Sequence, residues 1–181
     1  MVGIATKGQL RMSFLRWALV LVPLIVLIGS LAGALSGSGE TGWYAALEKP
    51  SFQPPGYLFG IVWPILYALM AFALVGVIQA RGSRWRGLAI GLFIVQLIVN
   101  LLWSPIFFGM HQVSFALFWI VLTLGLAITV TVVFGRVRRL SAWLMVPYLV
   151  WLSFATLLNF EVDRLNPDAE TLVVGAMSTQ I

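Results

Sequence analysis

The residues with chemical potential in this sequence are polar and aromatic side chains set inside long apolar stretches. Gln96, Asn100 and Trp103 follow one another at i, i+4 and i+7, a spacing that puts them on one stripe of a helix. Trp63 and Tyr67 repeat the i, i+4 spacing upstream, and Tyr148, Trp151, Ala155 and Asn159 fall near one face downstream. Facing inward, three such stripes line a pocket with flat apolar walls and a few hydrogen-bonding groups, which suits a large planar ligand. The same residues also have a structural reading. Asn and Gln hydrogen-bond between membrane helices at roughly 0.6 kcal/mol each, and tryptophan concentrates at membrane interfaces. Spacing alone leaves both readings open.

Catalytic chemistry has little to work with. The chain has no Ser/His/Asp set, no phosphate-binding glycine loop and no acid pair inside an apolar run. It has no cysteine, which removes disulfides, thiolate metal sites and a cysteine nucleophile. The single histidine, His111, falls in a short turn where a solvated side chain is expected, and no metal site is expected around it. No catalytic residue and no obligatory cofactor is therefore assigned. A coupled ion transporter keeps a charged residue inside the membrane. None stands in the apolar runs, which weakens a proton-driven pump and leaves a passive carrier open.

The elements that must position these residues are membrane helices. The 181 residues are 61% hydrophobic and 9% charged, with a mean hydropathy of +1.00; a soluble domain carries about 25% charged residues. So little charge cannot cover a water-facing surface, and lipid must be the solvent for much of the exterior. Uncharged runs extend from Trp17 to Leu35, Tyr57 to Ala80, Gly87 to Gly109, Ser114 to Gly135 and Leu140 to Phe160. Each is near the ~20 residues that span a bilayer. The runs are continuous and do not alternate, so helices are indicated and a barrel is not. The expected fold is an all-α membrane protein, a bundle of five transmembrane helices. It comprises an N-terminal extension (1–14), a membrane domain (15–164) and a C-terminal tail (165–181). A cleaved signal peptide is the alternative for the first run, but its length of about 19 residues exceeds the usual h-region.

Charge gives an orientation. Nine of the eleven basic residues lie in the N-terminal segment and in the loops carrying Arg81, Arg84 and Arg86 and Arg136, Arg138 and Arg139. Five spans put these segments on one side, with Lys49, Arg164 and all six acids (Glu40, Glu48, Glu161, Asp163, Asp168, Glu170) opposite. The positive-inside rule then places the N-terminus in the cytoplasm and the C-terminus outside. The basic pI of about 10.3 is thereby a topology signal, and no nucleic-acid partner is expected.

The one substantial loop, residues 36–56, carries Trp43, Tyr44 and Phe52 and is stiffened by Pro50, Pro54 and Pro55, each of which fixes φ and removes a donor. It reads either as an interfacial aromatic belt, which the pattern slightly favours, or as a lid folded over a cavity. Pro23, Pro64, Pro105 and Pro147 are expected to kink their spans. Gly29/Gly33 and Gly87/Gly91 form small-xxx-small faces, expected to pack within the bundle, with a dimer contact as the alternative.

Four blocks carry a resemblance: Trp43-Tyr44-Ala45-Ala46-Leu47-Glu48-Lys49-Pro50-Ser51-Phe52-Gln53-Pro54-Pro55; Trp63-Pro64-Ile65-Leu66-Tyr67; the segment from Gln96 through Asn100, Trp103 and Pro105 to Gly109; and Pro147 through Tyr148, Trp151, Ala155 and Thr156 to Asn159. Together, over about Trp17 to Arg164, they resemble the translocator protein family, also called tryptophan-rich sensory proteins or peripheral benzodiazepine receptors. The resemblance implies a five-helix bundle, usually a homodimer, that binds porphyrins such as protoporphyrin IX. It implies sensing, regulation or transport of tetrapyrroles, with light-dependent porphyrin breakdown as an enzymatic alternative and a ligand-free scaffold as another. It assigns Trp63 and Trp151 to porphyrin contact and breakdown; Tyr67, Asn100, Trp103 and Ala155 to the pocket lining; and Phe115 to the place of a pocket tryptophan in some animal members. The loop with Trp43, Phe52, Pro54 and Pro55 becomes a lid over the pocket. Two departures stand out. Phe52 replaces a common tryptophan, and Phe160, Glu161 and Asp163 depart from the animal cholesterol motif although Arg164 is kept, so cholesterol is a doubtful partner. A bacterial inner membrane is favoured, with the outer membrane as the alternative.

Overall fold

A computed structural model describes residues 6–37 and 42–172. Gly39, Glu40 and the tail from 173 onward lie outside the described residues. The helices are α1 (Lys7–Leu35), α2 (Gly42–Ala46), α3 (Gly56–Gln79), α4 (Arg86–Ser104), α5 (Val113–Val137) and α6 (Arg139–Leu165), with a π-helical turn at Pro105–Gly109 and a 3-10 turn at Ala169–Thr171. Five of them, α1, α3, α4 with its π turn, α5 and α6, are long and apolar enough to cross a membrane.

The N-terminal boundary differs from the sequence reading. Helix α1 starts at Lys7, ten residues before the apolar run, so most of the proposed extension is helix. The cause is a capping box. The Thr6 hydroxyl accepts from Gln9 N at 3.3 Å while Thr6 N donates to Gln9 Oε1 at 2.9 Å, which satisfies two otherwise orphaned donors. Pro23, Pro64 and Pro147 are accommodated inside helices. Pro105 instead ends the α-helical register. The next turn widens, with Met110 N donating to Pro105 O at 2.9 Å, and His111 then reverses the chain with φ of 57°.

The main neighbours run α1–α3–α6–α5–α4, and α4 also touches α1 and α3. Close approach of α3 to its neighbours depends on two glycines: a Cβ at Gly29 would overlap the Tyr67 ring, and one at Gly76 would overlap Ser141 Oγ. Gly29 thus packs within the bundle as expected. Gly87 and Gly91 do not: nothing lies within 4 Å of where their Cβ atoms would be, so this face of α4 is open. The interior holds Met70, Ala71, Ala73, Phe93, Phe134, Met145, Tyr148 and Leu152, whereas Leu19, Trp143 and Val150 are among the large apolar side chains left on the outside. An apolar exterior around a hydrogen-bonded helical interior is the arrangement lipid requires. This is an integral, multi-pass membrane protein.

The contacts also define one basic end. Gln79 Nε2 donates to Leu10 O at 3.1 Å, Arg136 lies over the Trp85 ring at 5.0 Å, and Arg138 packs beside Gly76. The N-terminus of α1, the α3–α4 loop and the α5–α6 junction therefore meet.

Candidate ligand-binding site

Helices α3, α4 and α6 each send polar groups into the apolar interior, where an unpaired polar atom is costly. The Tyr67 hydroxyl donates to Asn100 Oδ1 at 2.9 Å, and Asn100 Nδ2 donates to the Tyr148 hydroxyl oxygen at 3.1 Å. Gln96 meets the same Tyr148 hydroxyl at 2.5 Å. That length fits an O–H···O bond better than an N–H···O bond. We therefore read Gln96 as accepting the Tyr148 proton through its carbonyl oxygen. With Nε2 turned toward Tyr148, Oε1 of Gln96 is buried without a partner.

A second set of bonds ties α4, α5 and α6 nearer the opposite end. Trp103 Nε1 donates to Asn159 Oδ1 at 3.1 Å, and Asn159 Nδ2 donates to Val113 O at 3.2 Å. Trp119 Nε1 donates to Val99 O at 2.7 Å. The first loop closes over this end and does not lie free as a belt. Trp43 is buried, with its Nε1 donating to Ala169 O at 3.0 Å, and its ring stacks on His111 at 4.1 Å. His111 is thus half-buried against an indole, not the solvated turn residue the sequence suggests. Tyr44 packs edge-on to Phe107 and Phe108. Burial raises its phenol above the ordinary value of 10.0, opposed by a hydrogen bond from Gln53.

A third group of aromatics lines the seam between α3 and α6. The Trp63 ring lies 5.6 Å from Tyr67 and 6.4 Å from Tyr148. Trp151 contacts Phe59 at 5.6 Å and Phe154 at 5.5 Å, and Phe52 of the loop meets Phe154 at 6.2 Å. Beside them runs a groove of about 630 Å³, lined by Val62 and Leu66 of α3 and by Val146, Pro147, Val150, Trp151 and Phe154 of α6. The indole N–H of Trp151 is buried and makes no hydrogen bond.

The residues singled out from the sequence therefore separate into groups. Trp63, Tyr67, Trp151 and Asn100 gather around the α3–α6 seam and the polar network behind it; Ala155 is half-buried against the same core. Trp103 bridges the two ends: it packs on the main core, yet its N–H is spent on Asn159 and its ring stacks on Phe107 at 5.1 Å. Phe115 stands apart, 45% exposed, with ring contacts to Phe118 and Trp119 of its own helix. In the loop, Trp43 anchors the cap, Phe52 reaches the seam, Pro54 is half-buried, and Pro55 immediately precedes α3. Phe59 and Phe154 are seam residues that the pattern search passed over. Their spacing signalled them, since Phe59 is four residues before Trp63 and Phe154 three after Trp151, but a phenylalanine in an apolar span draws no notice without neighbours.

Residues 19–165 match the TspO/MBR family. Among curated proteins, the chain is 40% identical over 153 residues to the tryptophan-rich sensory protein of Cereibacter sphaeroides, covering 83% of this chain and 92% of that protein. It is 39% identical over 142 residues to the translocator protein of Homo sapiens, covering 77% and 84% of the two chains. It is 37% identical over 143 residues to Protein CrtK of Rhodobacter capsulatus, covering 78% and 88%. With a match across all five spans, and relatives at this identity aligned over most of both lengths, the chain belongs to the TspO/MBR family.

Proposed function

We propose that this membrane protein binds a planar tetrapyrrole of the protoporphyrin IX type at the α3–α6 seam, and that it acts in tetrapyrrole sensing or transport with no obligatory cofactor. The observation that carries the reading is the state of the seam's tryptophans. Trp151 holds a buried, unpartnered indole N–H beside an apolar groove, and Trp63 makes no indole hydrogen bond among the described residues. A flat ligand with polar edge groups offers both what they lack: a stacking face and an acceptor. Tyr67, Asn100 and Ala155 support the site from behind, Trp103 borders it, and Phe52 with Pro54 and Pro55 belongs to the covering loop; Phe115 has the least support. The names of the relatives, a sensory protein and a translocator, support the sensing or transport role.

The test is a titration of protoporphyrin IX into the purified protein, followed by tryptophan fluorescence, in wild type and in Trp63→Phe/Trp151→Phe. Saturable quenching weakened in the variant supports the seam; absence of saturable quenching in the wild type overturns the reading. Light-driven porphyrin breakdown is a second reading, favoured by the contact of Trp63 with two phenols, which makes a run of oxidisable side chains. Product that persists on illuminating the double variant rejects it. The open Gly87/Gly91 face supports a homodimer, the arginines of the basic end support a cytoplasmic position for it, and the long apolar helices support a bacterial inner membrane, with the outer membrane as the alternative. Cholesterol stays a doubtful partner because of Phe160, Glu161 and Asp163.

A further inference from the structure

The arginines at the basic end are not equivalent. Arg86 Nε donates to Ile78 O at 2.8 Å, and Arg84 and Arg136 lie over the Trp85 ring at 5.3 and 5.0 Å. Arg11 and Arg138 make no such contact with any described residue. The one salt bridge among the described residues, Arg164 with Glu161, is at the opposite end, where the described acids also lie. Arg11 and Arg138 line a single groove of about 570 Å³ between α1, the end of α3 and the α5–α6 junction, with Leu10, Phe14, Leu15 and Ala80. The groove is held in shape: Gln79 fastens α1 to α3 through Leu10 O, Phe14 stacks on Phe72 at 6.3 Å, and the Arg138 stem runs beside Gly76.

We propose that this groove is a binding site for an anionic phospholipid, its phosphate between Arg11 and Arg138 and its chains along Leu10, Phe14 and Leu15. Two guanidinium groups without a protein counter-ion, on an apolar-walled groove where the spans leave the bilayer, match a ligand that is anionic at one end and apolar at the other. Neither water-soluble phosphate nor a neutral lipid has both halves. Guanidinium is also the side chain best suited to phosphate oxygens.

The test reconstitutes the full chain in phosphatidylcholine vesicles and compares the association of spin-labelled phosphatidylglycerol and phosphatidylcholine. Wild type retains phosphatidylglycerol selectively. Arg11→Gln/Arg138→Gln lowers that selectivity about thirtyfold, the loss of two direct guanidinium–phosphate pairs. Arg81→Gln/Arg84→Gln, which removes equal charge outside the groove, leaves it within about twofold, because charge away from the bound phosphate acts only through a screened field. Equal losses in the two variants, or no selectivity in wild type, overturn the site. Displacement of the lipid by inorganic phosphate, beyond that by chloride at equal ionic strength, overturns the lipid assignment in favour of a simple anion site. Photoactivatable phosphatidylglycerol on the wild-type protein gives an answer independent of how the variants fold: adducts concentrated on residues 10–15 and 79–80 support the site, and adducts spread evenly over the basic end reject it.

Discussion

Two aromatic regions of this bundle use the same side chains in opposite ways. At the capped end, Trp43, Trp103 and Trp119 each donate the indole N–H to a defined acceptor: Ala169 O, Asn159 Oδ1 and Val99 O. Along the α3–α6 seam, Trp151 has a buried N–H with no acceptor and Trp63 donates to nothing among the described residues. A buried donor left unpaired costs about 1–3 kcal/mol. The seam's indoles therefore carry a local cost that the cap's indoles do not, and such costs gather at functional sites. Counting tryptophans would not separate the regions; asking where each N–H goes does.

The comparison can be broken at several points, and the largest effect is expected at the cap. Trp43→Ala removes a buried aromatic and its bond to Ala169, and should lower unfolding free energy by about 3–5 kcal/mol, read as a fall in melting temperature in detergent. Gly29→Val forces a side chain into the Tyr67 ring and should cost about 1–3 kcal/mol, with weakened porphyrin quenching because Tyr67 cannot hold its place. The sharpest pair is Trp43→Phe against Trp151→Phe. The first leaves the Ala169 carbonyl only its 3.4 Å bond from Leu172 N and should cost roughly 1–2 kcal/mol; the second deletes an unpaired donor, a gain offset by the packing lost with the smaller ring, and should change stability by less than about 0.5 kcal/mol. Equal losses in the pair would erase the distinction between the regions. Tyr148→Phe removes two interhelical bonds in the membrane, with Gln96 and with Asn100, at about 0.6 kcal/mol each, checked by the same melts.

The spans were legible because charge or a turn signal ends each apolar run: Arg81 and Arg86 bracket the α3–α4 loop, Arg138 marks the α5–α6 junction, and Gly109-Met110-His111 separates α4 from α5. The start of α1 was not, since a capping box at Thr6 and Gln9 extends a helix into a polar segment that hydropathy does not register. Inward stripes were also legible, as amides in a span have few places to go: Gln96, Asn100 and Tyr148 do meet. Whether each tryptophan was tied or free could not be read, because the acceptors Ala169, Asn159 and Val99 lie 126, 56 and 20 residues away from their donors. Distance in sequence likewise hid the Trp43–His111 stack.

The loop between the first two spans is also fastened to the far end of the chain. Asn166 accepts from Glu48 N at 2.7 Å and donates to Glu48 O at 2.8 Å, 118 residues apart, and Trp43 is held by Ala169. During synthesis, the loop reaches its side of the membrane long before residues 166–169 exist. The cap cannot close until the last span has been made and threaded. Until then the Trp43 indole lacks its acceptor, so a chain arrested or truncated before Asn166 carries an exposed aromatic loop. The cap therefore closes only when the loop and residues 166–169 stand on the same side of the membrane.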